Sequence, residues 1–500
     1  MGLGVKATSL SVICQALGWN PVVADVLVTG VASDSRQVMA GNLFIACVGD
    51  PQRLRSFIEQ AQAKHAAAVA IDVDQLSLVD AFNFTVPILG VVNLAKNQAR
   101  LAAAVLSQPS ADMLLVGITG TNGKTSISHY VAQACSILGQ TCGVIGTTGN
   151  GLLGALQAGP NTTPDAVSVQ ALLADMQSQG ASACAMEVSS HGLHQGRVSA
   201  CEFNIAVLSN LSRDHLDYHG SMEAYGQAKA RLFSWPTLEH AVVNVDDSFG
   251  QALANDIAAD VQQWTYSVKA NSTSANIYAN SVSFNQQGFS AEITTPVGSM
   301  TVSTALYGEF NLSNLLATVG VLLAAGYGLA EIEKALAQLE PVAGRMEKTT
   351  LSTGVTAIVD YAHTPDALQA ALQATKQHLK TGQLWCVFGC GGDRDAGKRP
   401  LMAQIAEQFA DQLVVTDDNP RGENSGTIIE QIAAGFKQPQ QANLIADRAS
   451  AIEYSLKQAR AGDIVLIAGK GHEDYQEVNG QREHFSDREQ VVRVQQELAQ

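Results

Sequence analysis

The chain has 500 residues, 46% apolar and 15% charged, with a formal net charge of −16. That length allows about three domains of ~100–200 residues and enough buried core to dispense with disulfide or metal staples. The negative balance argues against polyanionic partners such as nucleic acid. The eight cysteines form no C-x-x-C pair and suit a reducing compartment, and no run approaches the ~18 apolar residues of a membrane span.

The opening MGLGVKATSLSVICQALGWN lacks a sustained apolar core followed by a small-residue cleavage site, so no secretory signal is expected and the default location is cytoplasmic. Residues 1–108 read as a small α/β unit, with VLVTGVASDSRQV and LFIACVG before Ala-rich helical stretches. From about 109 a strand–loop–helix follows: MLLVGI, TGTNGKTS, then an amphipathic helix through Leu138 that stops at Gly139. Strands are expected at ACAMEV (183–188), NIAVLSN (204–210) and AVVNVD (241–246). Residues 272–307 alternate and read as an antiparallel insertion or edge. One helical segment runs from Asn311 to about Leu339, and Pro341 marks a boundary. Beyond it come TAIVDYAH, helix 365–380, LWCVFGC, helix 399–410, QLVVTDDN, helix 426–437, ANLIA, helix 449–460 and DIVLIAGKG. Such β/α alternation predicts a mostly parallel, doubly wound sheet.

Gly117 to Ser126 (GITGTNGKTS) lies between an apolar strand and a helix. Glycines let backbone N–H groups close around phosphate oxygens, and the helix N-terminus favours negative charge. Lys124 would reach the β/γ-phosphates and the Thr125 hydroxyl would ligate Mg²⁺. Gly117 to Gly123 spans one residue more than the usual G-x-x-x-x-G-K-[ST] spacing. Two similar patterns carry less. Gly149 to Gly154 matches G-x-G-x-x-G, but Gly159 and Pro160 leave no room for the helix it requires. Gly392 to Lys398 has phosphate-loop spacing, but Arg399 replaces the metal-holding Ser/Thr, so it reads as a substrate loop at a strand end.

NLSRDHLDYHGSMEAYGQAKARLF (210–233) leaves a strand and turns helical near Ser221. At 100° per residue Met222, Tyr225, Lys229, Leu232 and Phe233 share a face. A desolvated lysine has a lowered pKa, and a neutral amine reacts with CO₂ to give a metal-binding carbamate; the same periodicity also fits a lysine snorkelling at the stripe's rim. Glu187, Asp214, His215 and Asp217 stand near strand ends, where an open α/β sheet collects ligands. With the phosphate loop they suit Mg²⁺, although singly each fits a structural polar residue.

TGTNGKT, MEVSSHGL, NLSRDHLDYHG with its downstream AKARLF, GEFNLSNLLA, GRME, VDYAHTPDAL and GCGGDRDAGKRP resemble the Mur ligase family along nearly the whole chain. DDNPRGE (417–423) and AGKGHEDYQ (468–476) are similar to the branch that adds the third peptide residue to the cell-wall precursor.

The resemblance implies three α/β domains: a UDP-sugar-binding domain over 1–108, a P-loop-type ATPase domain with a mostly parallel sheet over 109–339, and a Rossmann-like, doubly wound amino-acid-binding domain over 340–500. Gly120, Thr121, Asn122, Gly123, Lys124, Thr125 and Ser126 would bind ATP, with Glu187, His215, Thr125 and carbamylated Lys229 managing Mg²⁺. Asn311, Asn314, Arg345, Asp360 and His363 would contact the nucleotide across the domain cleft. Asn161, Thr162, Thr163, Ser189, Gln195 and Arg197 correspond to contacts to UDP-N-acetylmuramoyl-L-alanyl-D-glutamate, and Ser33 and Ser35 to its uridine side. The family's next contact loop aligns with Asp50, Pro51 and Gln52, whose letters depart from the pattern.

The implied amine donor is meso-2,6-diaminopimelate, which carries one more carboxylate than lysine. Arg421 in Asp418-Asn419-Pro420-Arg421 can clamp that carboxylate bidentately. Arg394, Gly469 and Glu473 match the family's remaining positions, Glu473 suiting an ammonium. On its own DNPR also fits an ordinary proline turn with an exposed arginine. The implied reaction transfers the γ-phosphoryl group to a carboxylate, and an amine then displaces phosphate from the acyl phosphate. Closure of the third domain would exclude water, and His363 is a candidate for the amine's proton. The partners are then small molecules, with no nucleic acid or membrane, and the chain is expected to act as a monomer. A folylpolyglutamate-type ligase and an ATP-hydrolysing switch are the rivals; the first leaves the N-terminal domain and DNPR unexplained, and the second would need no amine.

Overall fold

The computed structural model describes residues 7–19, 25–79, 82 and 84–498. Contacts gather the chain into two compact units, one of 1–267, 273–277 and 317–332, the other of 268–272, 278–316 and 333–500.

The first unit holds two parallel-rich sheets. Gly30–Ala32, Asn42–Ile45, Ala68–Asp72 and Ile88–Val91 pair in parallel in that order. Helix Pro51–Ala63 lies between the second and third, and helix Leu94–Val105 follows the last. The larger sheet runs Gln262–Ser267, His240–Asn244, Ile205–Leu208, Leu114–Thr119, Ala183–Glu187, Cys142–Gly146, Gly149–Leu152, parallel except at the last pair. Its central strands are nearly all buried residues, as sheets covered on both faces require. Leu114–Thr119 sits between a later strand on each side, the switch point at which open α/β sheets bind ligands.

The second unit contains, from residue 278 on, an antiparallel meander of strands Ile277–Asn285, Gly288–Thr295 and Gly298–Thr304, in the segment read as antiparallel. It also contains a six-stranded sheet ordered Glu347–Thr350, Thr356–Asp360, Ile464–Ala468, Leu384–Phe388, Gln412–Val415, Ala442–Leu444, parallel after the first pair. Its pleat sorts the core: Ile358, Leu384, Cys386, Phe388 and Leu466 pack on one face, and Val359, Trp385, Val387, Val465 and Ile467 on the other. Leu466 is 0% exposed, and its truncation to Ala would cost about 2–5 kcal/mol. The helices Pro365–His378, Lys398–Phe409, Ser425–Ala433 and Arg448–Gln458 fall where the alternation placed them.

The single helix expected from Asn311 to about Leu339 is two, Glu309–Ala324 and Leu329–Leu336. Gly326 at φ +88° ends the first in the left-handed conformation that favours glycine. Among the described residues no helix is long and apolar enough to cross a membrane.

Candidate active site

The phosphate loop leaves strand Leu114–Thr119 and enters helix Lys124–Ile137. Gly120 holds φ +142°, and a Cβ there would lie 1.9 Å from Ser209 Oγ, so only glycine fits. No side chain caps the helix at Gly123, and the positive end of its dipole favours an anion there. The loop is pinned by the exit of the neighbouring strand: Thr121 N donates to Asn210 O at 2.9 Å and Asn122 N to Asn210 Oδ1 at 3.0 Å. Lys124 Nζ donates to the carbonyls of Gly120 and Thr121, each at 2.9 Å. Thr125 and Ser126 are buried at the start of the helix.

Lys229 is 1% exposed, so it does not snorkel. Ser221 caps its helix, Met222–Ala230, which carries Tyr225 and Lys229 inward, and a following 3₁₀ turn buries Leu232 and Phe233. Lys229 Nζ donates to Gly120 O at 2.8 Å and lies 4.4 Å from the centre of the Tyr225 ring. Its pKa is held well below the ordinary lysine value, first by burial and then by the Lys124 charge.

Glu187, fully buried at the end of its strand, accepts from Thr125 Oγ1 at 3.1 Å, Thr147 N at 2.9 Å and Thr147 Oγ1 at 3.1 Å. Thr125 and Glu187 thus form one oxygen-donor pair. His215, at φ +52°, is exposed beside Asp214. Among the described residues no hydrogen bond or ion pair joins His215 to Glu187, Thr125 or Lys229, and no three His, Cys, Asp or Glu side chains are gathered as for a metal ion. The His215 ring instead joins an aromatic group, 4.9 Å from His191 and 5.9 Å from Tyr225.

Most of the residues expected to hold the acid substrate interlock around Glu187. Thr163 Oγ1 donates to Glu187 O at 2.8 Å and lies 3.1 Å from Ser189 Oγ. Arg197 donates to Thr163 O at 2.6 Å and Gln195 Oε1 at 2.9 Å. Thr162 lies 3.0 Å from Thr147, hydroxyl to hydroxyl. Asn161 is exposed beside them. Ser33 reaches the same segment through Asp165, at 3.1 Å. Ser35 is buried, its hydroxyl donating to Gln60 at 2.8 Å. Asp50 caps helix Pro51–Ala63 by accepting from Arg53 N, so Asp50, Pro51 and Gln52 form a helix start.

In the second unit the carboxyl ends of four adjacent parallel strands bring Asp360 to His363, Gly469 to Glu473, Cys390 to Arg394 and Asp418 to Arg421 to one edge. Asp360, its pKa raised by burial, accepts from Met346 N at 2.8 Å and Ala362 N at 2.9 Å. Arg345 lies over the Tyr361 ring at 4.7 Å. His363 Nδ1 donates to Tyr361 O at 2.8 Å, which leaves Nε2 as the acceptor of a neutral ring; burial lowers its pKa. Asn311 donates to Tyr307 O at 2.9 Å and its Oδ1 accepts from Asn314 at 3.1 Å.

Asn419 Nδ2 donates to Glu473 Oε2 at 2.9 Å, and Arg421, at φ +52°, donates to Gly392 O at 2.9 Å. Arg394 is exposed, and it and Arg421 flank Gly391. Pro420 O packs against Gly392. Gly469 holds φ +123°, with Asp418 Oδ2 only 3.1 Å from where its Cβ would be.

Three buried cations escaped the sequence reading. Arg399 pairs with Glu423 at 2.9 Å, Arg448 with Asp487 at 2.7 Å, and Lys470 with Asn419 and Glu473. Arg399 and Arg448 tie the strand-end loops down, Arg399 through Gly391 O and Arg448 through Asp417 O and Ala468 O. The available signal for Lys470 was a cation between two glycines at the end of an apolar strand.

The Mur ligase middle domain family matches residues 118–322, and the Mur ligase, glutamate ligase domain family matches residues 344–471. The chain is 50% identical over 463 residues, 92% of this chain and 94% of the relative, to the UDP-N-acetylmuramoyl-L-alanyl-D-glutamate--2,6-diaminopimelate ligase of Ectopseudomonas mendocina (strain ymp). It is 49% identical over 473 residues to the Pseudomonas aeruginosa protein of the same name, covering 94% and 95% of the two chains. A solved structure of a UDP-N-acetylmuramoyl-L-alanyl-D-glutamate--2,6-diaminopimelate ligase shares 38% identity at a TM-score of 0.72, covering 99% of this chain and 100% of that one. The MurF ligase from Thermotoga maritima in complex with ADP shares the fold at 18% identity and a TM-score of 0.67, covering 94% of this chain and 98% of that one.

Proposed function

The chain belongs to the Mur ligase family, and from that premise we propose that it joins meso-2,6-diaminopimelate to UDP-N-acetylmuramoyl-L-alanyl-D-glutamate, with ATP as co-substrate. One observation carries the reading: the loop that cradles phosphate and the polar set around Thr163 and Arg197 meet at the same residue, Glu187. A carboxylic acid held by that set lies beside the terminal phosphate.

Carboxylate and amine do not condense in water, because the carboxylate is a poor acyl donor. The γ-phosphoryl group therefore passes to the D-glutamyl side-chain carboxylate, forming a new P–O bond and releasing ADP. Lys124 and the uncapped helix amides offset the charge on the transferring oxygens. The amine then attacks the acyl carbon, and phosphate leaves as the C–N bond forms. His363 Nε2, unprotonated in the neutral ring, is a candidate to take the amine's proton.

Mg²⁺ fits the donors present. Thr125 and Glu187 offer hard oxygens 3.1 Å apart, and a Mg²⁺ ion keeps several waters and takes phosphate oxygens, so few protein ligands suffice. It would supply charge neutralisation across the phosphates. The depressed pKa of Lys229 supports a carbamate: the neutral amine adds CO₂, loses a proton and becomes an anion beside the phosphate loop.

Arg421 and Arg394 are assigned the distal carboxylate of diaminopimelate, and Asp418, Asn419, Gly469 and Glu473 its ammonium. Asn311, Asn314, Arg345 and Asp360 are assigned to the nucleotide, and Ser33 and Ser35 to the uridine side. The protein acts on small molecules in the cytoplasm, as a monomer, in building the cell wall during growth and division. The test is to supply ATP, Mg²⁺ and the UDP-sugar dipeptide with either meso-diaminopimelate or lysine and to weigh the products. A diaminopimelate adduct is expected; ADP release without any amide product contradicts the reading.

A further inference from the structure

Lys470 follows strand Ile464–Ala468 between Gly469 and Gly471, and its side chain is 0% exposed. Its Nζ donates to Asn419 Oδ1 at 3.0 Å and Glu473 Oε2 at 3.4 Å, and lies 3.8 Å from Asp418 Oδ1. A buried ammonium is costly unless it is paired and hydrogen-bonded. Here an amide oxygen and two carboxylates surround it. Burial lowers its pKa, and Asp418 draws it back up.

These bonds fix the groups around it. Asn419 Oδ1 receives two donors, Lys470 Nζ and, at 3.0 Å, Glu477 N. Flipping the amide would set its N–H₂ against both, so the orientation is locked. Nδ2 must then face Glu473, donating to Oε2 at 2.9 Å. Oε2 thus accepts twice, while among the described residues Oε1 accepts no hydrogen bond. Two carboxylates around one ammonium leave one negative charge, which matches one substrate ammonium.

We infer that Lys470 is a positioning residue for the amine donor: without reaching the substrate, it locks Asn419, aims Glu473 Oε1 outward, and sets the charge that receives the distal ammonium. The inference rests on the reading of Asp418 to Arg421 and Glu473 as the diaminopimelate site. Removing Lys470 would leave Asn419 Oδ1 held by the Glu477 amide alone and leave the Asp418 and Glu473 carboxylates to repel without a cation between them, so one would turn away.

The experiment measures KM for each substrate in the wild type, Lys470→Met and Arg421→Ala. In Lys470→Met the KM for meso-diaminopimelate is expected to rise about ten-fold or more, while those for ATP and the UDP-sugar dipeptide stay within about two-fold. A merely structural lesion would move all three. An unchanged diaminopimelate KM in Lys470→Met with a raised one in Arg421→Ala overturns the positioning role alone; unchanged values in both overturn the site reading and the inference with it. Should Lys470→Met be recovered unfolded, Lys470→Gln carries the same test, a raised diaminopimelate KM supporting the role and an unchanged one overturning it.

Discussion

The side chains of Lys124 and Lys229 converge on a single acceptor, the carbonyl oxygen of Gly120, at 2.9 and 2.8 Å. Two lysines at one carbonyl repel, and the buried one yields its proton more readily.

Lys229 therefore makes opposite contributions to stability and activity. Its folded pKa lies below the ordinary value of 10.5, so between the two the unfolded chain binds the extra proton and stability rises with pH. Lys229→Met removes that penalty. Its Tm at neutral pH should equal or exceed that of the wild type, while turnover falls about 100-fold or more. Intact-mass measurement on the wild type in bicarbonate should find the carbamate. Full turnover in the variant would exclude the role.

Glu187→Gln keeps the shape and removes the charge. With Thr125 Oγ1 and both Thr147 donors facing this carboxylate, ADP release at saturating substrates should fall about 100-fold, with the diaminopimelate KM little changed. The measurement is steady-state ADP release as Mg²⁺ is varied. A wild-type Mg²⁺ dependence would contradict the assignment.

Arg421→Ala should raise the diaminopimelate KM by about 10- to 100-fold, the worth of a charged hydrogen bond. It should narrow the preference over lysine, which has no distal carboxylate to lose. Competition between the two amines reads the ratio directly; an unchanged ratio contradicts the clamp.

His378 uses both ring nitrogens, Nδ1–H donating to Asn285 O at 2.7 Å and Nε2 accepting from Gly308 N at 2.8 Å. Protonation at Nε2 would set one donor against another. Burial lowers the folded pKa below the ordinary 6.5, so the unfolded chain takes up the proton first, and stability is lost as pH falls through about 6.5 toward the folded value. His378→Gln should show a smaller loss of Tm than the wild type between about pH 7.5 and 5.5. Equal losses would contradict this account.

Local pattern made much of this legible. The alternation after Pro341 located the parallel strands and their helices because both faces of that sheet are covered, which forces apolar runs into the sequence. Lys229 was visible because a helical stripe placed it among Tyr225, Leu232 and Phe233. The helix beyond Asn311 was overextended because apolar periodicity outweighed the stop at Gly326. The buried pairs stayed hidden for a different reason. Arg448 and Asp487 are 39 residues apart and Lys470 and Asn419 are 51 apart, so only the folded sheet brings them together. Nor does spacing place His215, which begins the short helix Leu216–His219 in a left-handed conformation with its side chain exposed.

The most direct test labels the D-glutamyl side-chain carboxylate of the UDP-sugar dipeptide with heavy oxygen and follows the label during turnover with ATP and meso-diaminopimelate. An acyl phosphate requires one labelled oxygen to leave with each inorganic phosphate as the amide forms. Phosphate that carries no label, or ADP that accumulates without the amide, would contradict the account.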